Sequence, residues 1–272
     1  METPPSRERH RWLQELTGLF QHIDDHAEVP TGPVSRETRC AVVYVVSALC
    51  LCLLSYFVLS RSLQGHMGAV LLDWLEVVAP ALRADLVPYQ RLVEHGVWAL
   101  GCFTFYFVIP ALIVRGLFRH KLSDYGLTTK GFWGHVWIYV ALFAPVGVMV
   151  LFLADSPSFQ HQYPFYRKPI GWTDFLIWEC LYALQFFSLE FFFRGFMLHG
   201  VKDRLGRYAI FAMVIPYMMI HFQKPLLETI GAVFAGIILG ALSLRTGSIW
   251  GGVLIHVAVA IAMDVAAHAM RG

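Results

Sequence analysis

Four ionisable side chains stand inside the last apolar stretches of the chain: Glu190, Arg194, His221 and His256. Glu190 and Arg194 lie one helical turn apart in the run Phe186-Phe187-Ser188-Leu189-Glu190-Phe191-Phe192-Phe193-Arg194-Gly195-Phe196. A charge in hydrocarbon costs about 2.5–3.5 kcal/mol on insertion scales, so residues kept there face a partner or a water-filled cavity. Taken singly, each has a plain structural explanation. Glu190 and Arg194 form an i,i+4 ion pair in the favourable order, and an intramembrane histidine can simply bond a backbone carbonyl of a neighbour. Taken together, the four support three chemistries. A carboxylate and a histidine can activate water for hydrolysis while other donors hold the oxyanion. Two histidines and a glutamate can hold zinc with water in the fourth position, although no H-E-x-x-H occurs in the chain. Intramembrane Glu and His also build proton or ion relays. Composition does not choose among these.

The elements that must position these residues are membrane helices. The chain has 272 residues, 57% hydrophobic and 15% charged, with a mean hydropathy of +0.56. A soluble domain carries about 25% charged and 45–50% apolar residues. The expected fold class is therefore all-α, a polytopic transmembrane helical bundle in a lipid bilayer. Apolar stretches of roughly 20 residues, long enough to cross, fall at about 40–60, 95–115, 133–154, 173–199, 206–222, 226–243 and 249–268. Seven spans are predicted, with eight as the alternative. Residues 69–82, interrupted by Asp73 and Glu76, read as an interfacial or re-entrant helix.

The chain divides into a cytoplasmic N-terminal segment (1–38), a first set of transmembrane helices and loops (39–172), and a helical core carrying the four ionisable residues (173–272). In the first segment Trp12, Leu13, Leu16, Leu19, Phe20 and Ile23 recur at helical spacing, which predicts an amphipathic helix over 8–24. Arg36, Arg39, Arg115, Arg119, Lys121, Lys130, Lys202, Arg204, Arg207 and Arg245 fall on one side of the bundle if the N-terminus is cytoplasmic. That orientation suits an integral protein of the cell (inner) membrane. At ~1.5 Å per residue from that side, Arg194 and His256 lie roughly 10 Å deep, Glu190 roughly 15 Å and His221 roughly 20 Å. Bundled, they would surround one cavity. The loop 155–172 is long enough to gate access on the opposite side. A net charge of +2 without a basic cluster gives no sign of a nucleic-acid partner. Cys40, Cys50, Cys52, Cys102 and Cys180 sit in or beside apolar stretches and read as packing residues.

Three motifs give these residues a resemblance. Leu189-Glu190-Phe191-Phe192-Phe193-Arg194-Gly195 resembles the E-E-x-x-x-R motif of the CPBP (CAAX protease and bacteriocin-processing, or Abi) intramembrane proteases. Tyr217-Met218-Met219-Ile220-His221 resembles their F-x-x-x-H, with Tyr for Phe. Leu244-Arg245-Thr246-Gly247-Ser248-Ile249-Trp250, leading to His256, resembles the turn before H-x-x-x-N. Order and spacing match over 173–264, about a third of the chain. The resemblance implies an intramembrane endopeptidase with a glutamate-type mechanism and no required cofactor. It acts on a membrane-associated protein or peptide, in CAAX-type or related C-terminal processing. It also implies roles. Glu190 and His221 would activate water, Arg194 would organise the site, and His256 would hold the oxyanion. Two positions depart from the pattern: Leu189 stands where the first Glu belongs, and Ala260 where the Asn belongs. The departures leave a second expectation beside the first, a non-catalytic binding, accessory or immunity protein of the same fold. A proton-coupled transporter is a third, and a zinc site stays open beside the metal-free mechanism.

Overall fold

The structure, a computed structural model, describes residues 32–167, 169–222 and 224–270. The predicted amphipathic helix over 8–24 lies outside the described residues. Among these the chain is helical, without strands: α1 (Arg36–Val58), α2 (Arg61–Val78), α3 (Pro80–Leu117), α4 (Trp133–Leu153), α5 (Pro157–Gln162), α6 (Trp172–Leu205), α7 (Tyr208–Met219), α8 (Leu226–Thr246) and α9 (Trp250–Ala269). Six of them, α1, α3, α4, α6, α8 and α9, are long and apolar enough to cross a membrane. The stretch predicted as the remaining span, 206–222, contains the 12-residue helix α7. At about 1.5 Å per residue such a helix is roughly 18 Å long, against ~30 Å of hydrocarbon. The segment 69–82 forms the end of α2 and the start of α3, which meet at Ala79.

Helix α6 is the centre of the bundle. Half of its apolar window is buried inside the protein, against 11–33% for the other five. The sequence explains this: α6 has the lowest hydropathy of the six and carries Asp174, Glu179, Glu190 and Arg194, charged groups that have to be shielded from hydrocarbon. Phe191, Phe192, Phe193 and Phe196 are all fully buried. They meet Tyr106 of α3 (5.0 Å from Phe192) and Tyr217 of α7 (5.2 Å from Phe193). Towards its start, the indole of Trp178 donates to Asp264 of α9 at 2.8 Å. Asp174 caps the start itself, its carboxylate accepting from the backbone N–H groups of Ile170 and Gly171 at 2.8 and 2.7 Å.

Two devices seat the helices around α6. Gly236 and Gly240, one turn apart on α8, let α7 approach closely. A Cβ at Gly236 would lie 2.9 Å from Val214, and one at Gly240 would lie 3.2 Å from Met213. The turn between α8 and α9 is pinned to the loop after α3. Gly247 ends α8 in the left-handed region at φ +66°, where a side chain is disfavoured. Ser248 Oγ then donates to the carbonyl of Thr128 at 2.6 Å, and Ile249 N to that of Gly126 at 3.0 Å. This turn sets the height at which α9 starts, and so where its residues face α6.

Two of the Lys- and Arg-bearing segments, the start of α1 and the end of α6, meet each other. Arg39, near the start of α1, donates through Nε to the carbonyl of Gly200 at 3.4 Å and pairs through Nη2 with Asp203 near the end of α6. Those two side chains are 3% and 2% exposed. Removing one partner of a buried pair leaves an uncompensated charge. Arg39→Met is expected to destabilise the protein by about 3–5 kcal/mol, and the double variant Arg39→Met/Asp203→Leu to recover most of that loss. Thermal unfolding in detergent measures both.

Candidate active site

Glu190 and Arg194 sit where α6 changes winding. The helix is α-helical to Glu190 and then widens into π turns from Phe191 to His199. All nine residues of the widened segment are buried. Such segments are rare and occur often at functional sites, because they alter which side chains share a face. Arg194 Nη1 lies 2.9 Å from Glu190 Oε1, and both side chains are wholly inaccessible. The pair foreseen at i,i+4 is therefore formed, in the interior of the protein.

Helix α9 adds the third charged or chargeable group. His256 Nδ1 stands 2.8 Å from the same oxygen, Glu190 Oε1, and 3.2 Å from the carbonyl oxygen of Gly252. Both neighbours are acceptors, so the ring proton belongs on Nδ1 and Nε2 is left as the acceptor. Phe186, one turn before Glu190, stacks on the imidazole at 5.5 Å with the planes 12° apart. The carboxylate fits only because α9 has no side chain at one position. A Cβ at Gly252 would lie 2.0 Å from Glu190 Oε2. Its neighbour Gly251 is equally constrained, since a Cβ there would lie 1.9 Å from the phenol ring of Tyr139 on α4.

Helix α7 closes the site with Tyr217. Its hydroxyl is 2.9 Å from His256 Nε2, and the Arg194 guanidinium lies over its ring, 4.1 Å from the centroid. With Nε2 as acceptor, the hydroxyl is the donor. One turn on, His221 Nδ1 is 2.9 Å from the carbonyl oxygen of Tyr217. A carbonyl only accepts, so His221 also carries its proton on Nδ1 and presents Nε2 as a free acceptor. The rings of Tyr217 and His221 are 5.1 Å apart.

The residues picked out in the sequence thus meet in two steps. Glu190, Arg194 and His256 are in direct contact, and His221 joins them through Tyr217. The histidine touching the carboxylate is His256. Among the described residues, Glu190 makes no ion-pair contact with His221. Leu189 turns away into the main apolar core at 6% exposure. Ala260 packs with Tyr166, Trp178 and Tyr182, towards the other end of the bundle. Asp264, bonded to Trp178, is also remote from Glu190. Among the described residues, no three His, Cys, Asp or Glu side chains converge as metal ligands do.

Two features escaped the sequence. Tyr217 showed only as a substitution of Tyr for Phe, and its hydroxyl gained meaning when α7 was laid against α9. Gly252 was visible as half of a Gly-Gly pair after the turn, but nothing local says that a carboxylate needs its space. Gly252→Ala is expected to unseat Glu190 and lower stability by about 1–3 kcal/mol, the usual cost of overpacking. Val253→Ala, one residue on, shortens a side chain that is 9% exposed and leaves the carboxylate its space. Unfolding of the two variants, measured side by side, separates crowding at Glu190 from a general effect on α9.

Residues 171–262 match the family model described as type II CAAX prenyl endopeptidase, Rce1-like. No curated protein and no solved structure matches the chain. The matched segment runs from the residue before α6 into α9, and so contains Glu190, Arg194, Tyr217, His221, Gly252 and His256 together. Over residues 171–262, about a third of its length, this helical membrane protein is similar to the CAAX prenyl endopeptidase family.

Proposed function

We propose that the protein is an intramembrane endopeptidase that hydrolyses a peptide bond near the C-terminus of a membrane-associated protein or peptide. One observation carries the reading. A single buried carboxylate oxygen is held by a guanidinium at 2.9 Å and an imidazole at 2.8 Å, and the far nitrogen of that imidazole is bonded to a tyrosine hydroxyl. A histidine whose Nδ1–H is turned to a backbone carbonyl, with a carboxylate beside it, leaves the opposite nitrogen ready to take a proton, the logic of acid–base triads on unrelated folds.

The roles follow from access and from hydrogen-bond direction. Glu190 and Arg194 are sealed, whereas the His256 side chain is 17% exposed, so water meets the couple at the imidazole. The attacking water gives its proton to His256 Nε2 as its oxygen bonds to the scissile carbonyl carbon. Nε2 then no longer accepts from Tyr217, and the hydroxyl is free to donate to the developing oxyanion. When the intermediate collapses, Nε2–H delivers the proton to the leaving amine. His221, beside Tyr217 with Nε2 free, accepts the second hydrogen of the water and orients it. Arg194 neutralises and holds Glu190. Tyr217 supplies the donor that Ala260 cannot. The family match supports a CAAX-type substrate.

The buried position of Leu189 favours one alternative: a relative of the same fold that binds such a segment without cutting it. Release of the C-terminal tripeptide from a farnesylated CAAX peptide by the purified protein separates the two readings. Glu190→Gln is expected to lower kcat by at least about 10²-fold, and Tyr217→Phe by about 10²–10³-fold. Turnover unchanged in Glu190→Gln would sink the catalytic reading. No turnover in the natural chain, with turnover gained in Leu189→Glu, would establish the alternative.

A further inference from the structure

A cavity of about 720 Å³ lies at the end of the bundle opposite the Arg39–Asp203 pair. Its wall is drawn from the ends of elements: Leu59 after α1, Arg61 and Gln64 in the first turn of α2, Arg91 to Trp98 on α3, the loop after α5, and Trp178 near the start of α6. Three arginines, Arg61, Arg91 and Arg167, line it together with one carboxylate, Glu94. That carboxylate is already engaged, accepting from Gln90 at 3.2 Å and pairing with Arg91 at 3.5 Å. Arg167 spends one nitrogen on the carbonyl of His161. Arg61 makes no ion pair with any described residue. The cavity therefore carries more guanidinium charge than its own wall neutralises.

Trp98, Phe165, Tyr166 and Trp178 add an aromatic side to the wall. Trp178 is fully buried and Tyr166 nearly so, and the His95 ring meets both edge-on at 4.8 and 5.8 Å. Leu59 in the wall is 49% exposed, and Ile170, three residues after Arg167, is 62% exposed. Arginines over an aromatic floor, with apolar side chains outside, match a ligand that has a phosphate at one end and hydrocarbon at the other. The planar guanidinium fork suits phosphate oxygens. Tryptophan is enriched at the level where headgroups lie, and clustered arginines at a membrane surface attract anionic lipid headgroups. We propose that this cavity is a binding site for the headgroup of an anionic phospholipid, the phosphate held by Arg61, Arg91 and Arg167 and the acyl chains leaving past Leu59 and Ile170. The proposal is independent of the catalytic reading.

The test is thermal unfolding of the purified full chain in detergent, with phosphatidylglycerol, phosphatidylcholine or soluble glycerol phosphate added separately. Phosphatidylglycerol is expected to raise the unfolding temperature by several degrees, and the other two to leave it within a degree. The triple variant Arg61→Gln/Arg91→Gln/Arg167→Gln should lose that rise. If it does not fold, Arg61→Gln alone, at an exposed side chain, should lose part of it. An equal rise with phosphatidylcholine, an equal rise in the variants, or a full rise with glycerol phosphate would each overturn the proposal. The last of these would mean a site for a free phosphate rather than for a lipid.

Discussion

One oxygen atom, Oε1 of Glu190, is shared by a guanidinium and an imidazole in the driest part of this bundle. An isolated carboxylate there would be prohibitively costly, and so would an isolated guanidinium. Each makes the other tolerable, and the surrounding structure keeps them together. The π turns after Glu190 carry Arg194 inward beside it. The bare backbone at Gly252 admits the carboxylate, and the face of Tyr217 covers the guanidinium. The pinned turn at Gly247–Ile249 fixes the register of α9 on α6, without which neither Gly252 nor His256 would reach Glu190.

This constraint also explains the split between sealed and open groups. Arg194 and Glu190 have no access to solvent, while His256 and His221 remain partly open. The charge that organises the site is thus insulated from the groups that can exchange protons. At the other end of the bundle the logic is reversed. Three arginines and one carboxylate line an open cavity beside aromatic rings, so the wall carries surplus positive charge.

Much of the fold was legible because hydrocarbon imposes a simple rule: every backbone group must be satisfied within its own helix, so long apolar runs become helices. Six of the seven predicted spans are helices of spanning length. The stretch 206–222 was read as a seventh because its apolar residues run past the end of the helix. The hydrogen-bonded turn at Ile220–Phe222 is what shortens α7 to 12 residues. The expectation that Glu190 and His221 together activate water came from the resemblance of the motifs. In the structure it is His256, on α9, that meets Glu190.

By itself the sequence determined that the chain is a helical membrane protein, that Glu190 and Arg194 pair one turn apart, and that two histidines share their region. Those are consequences of local periodicity and of the cost of charge in an apolar medium, both readable along the chain. Tertiary structure alone decided that His256 is the partner of Glu190, that Tyr217 bonds it from the other side, and that Gly252 makes room for the carboxylate. These contacts join residues on different helices, 39 positions apart in the case of Tyr217 and His256. Their geometry depends on helix register and crossing distance, which close packing between helices sets and no local pattern records.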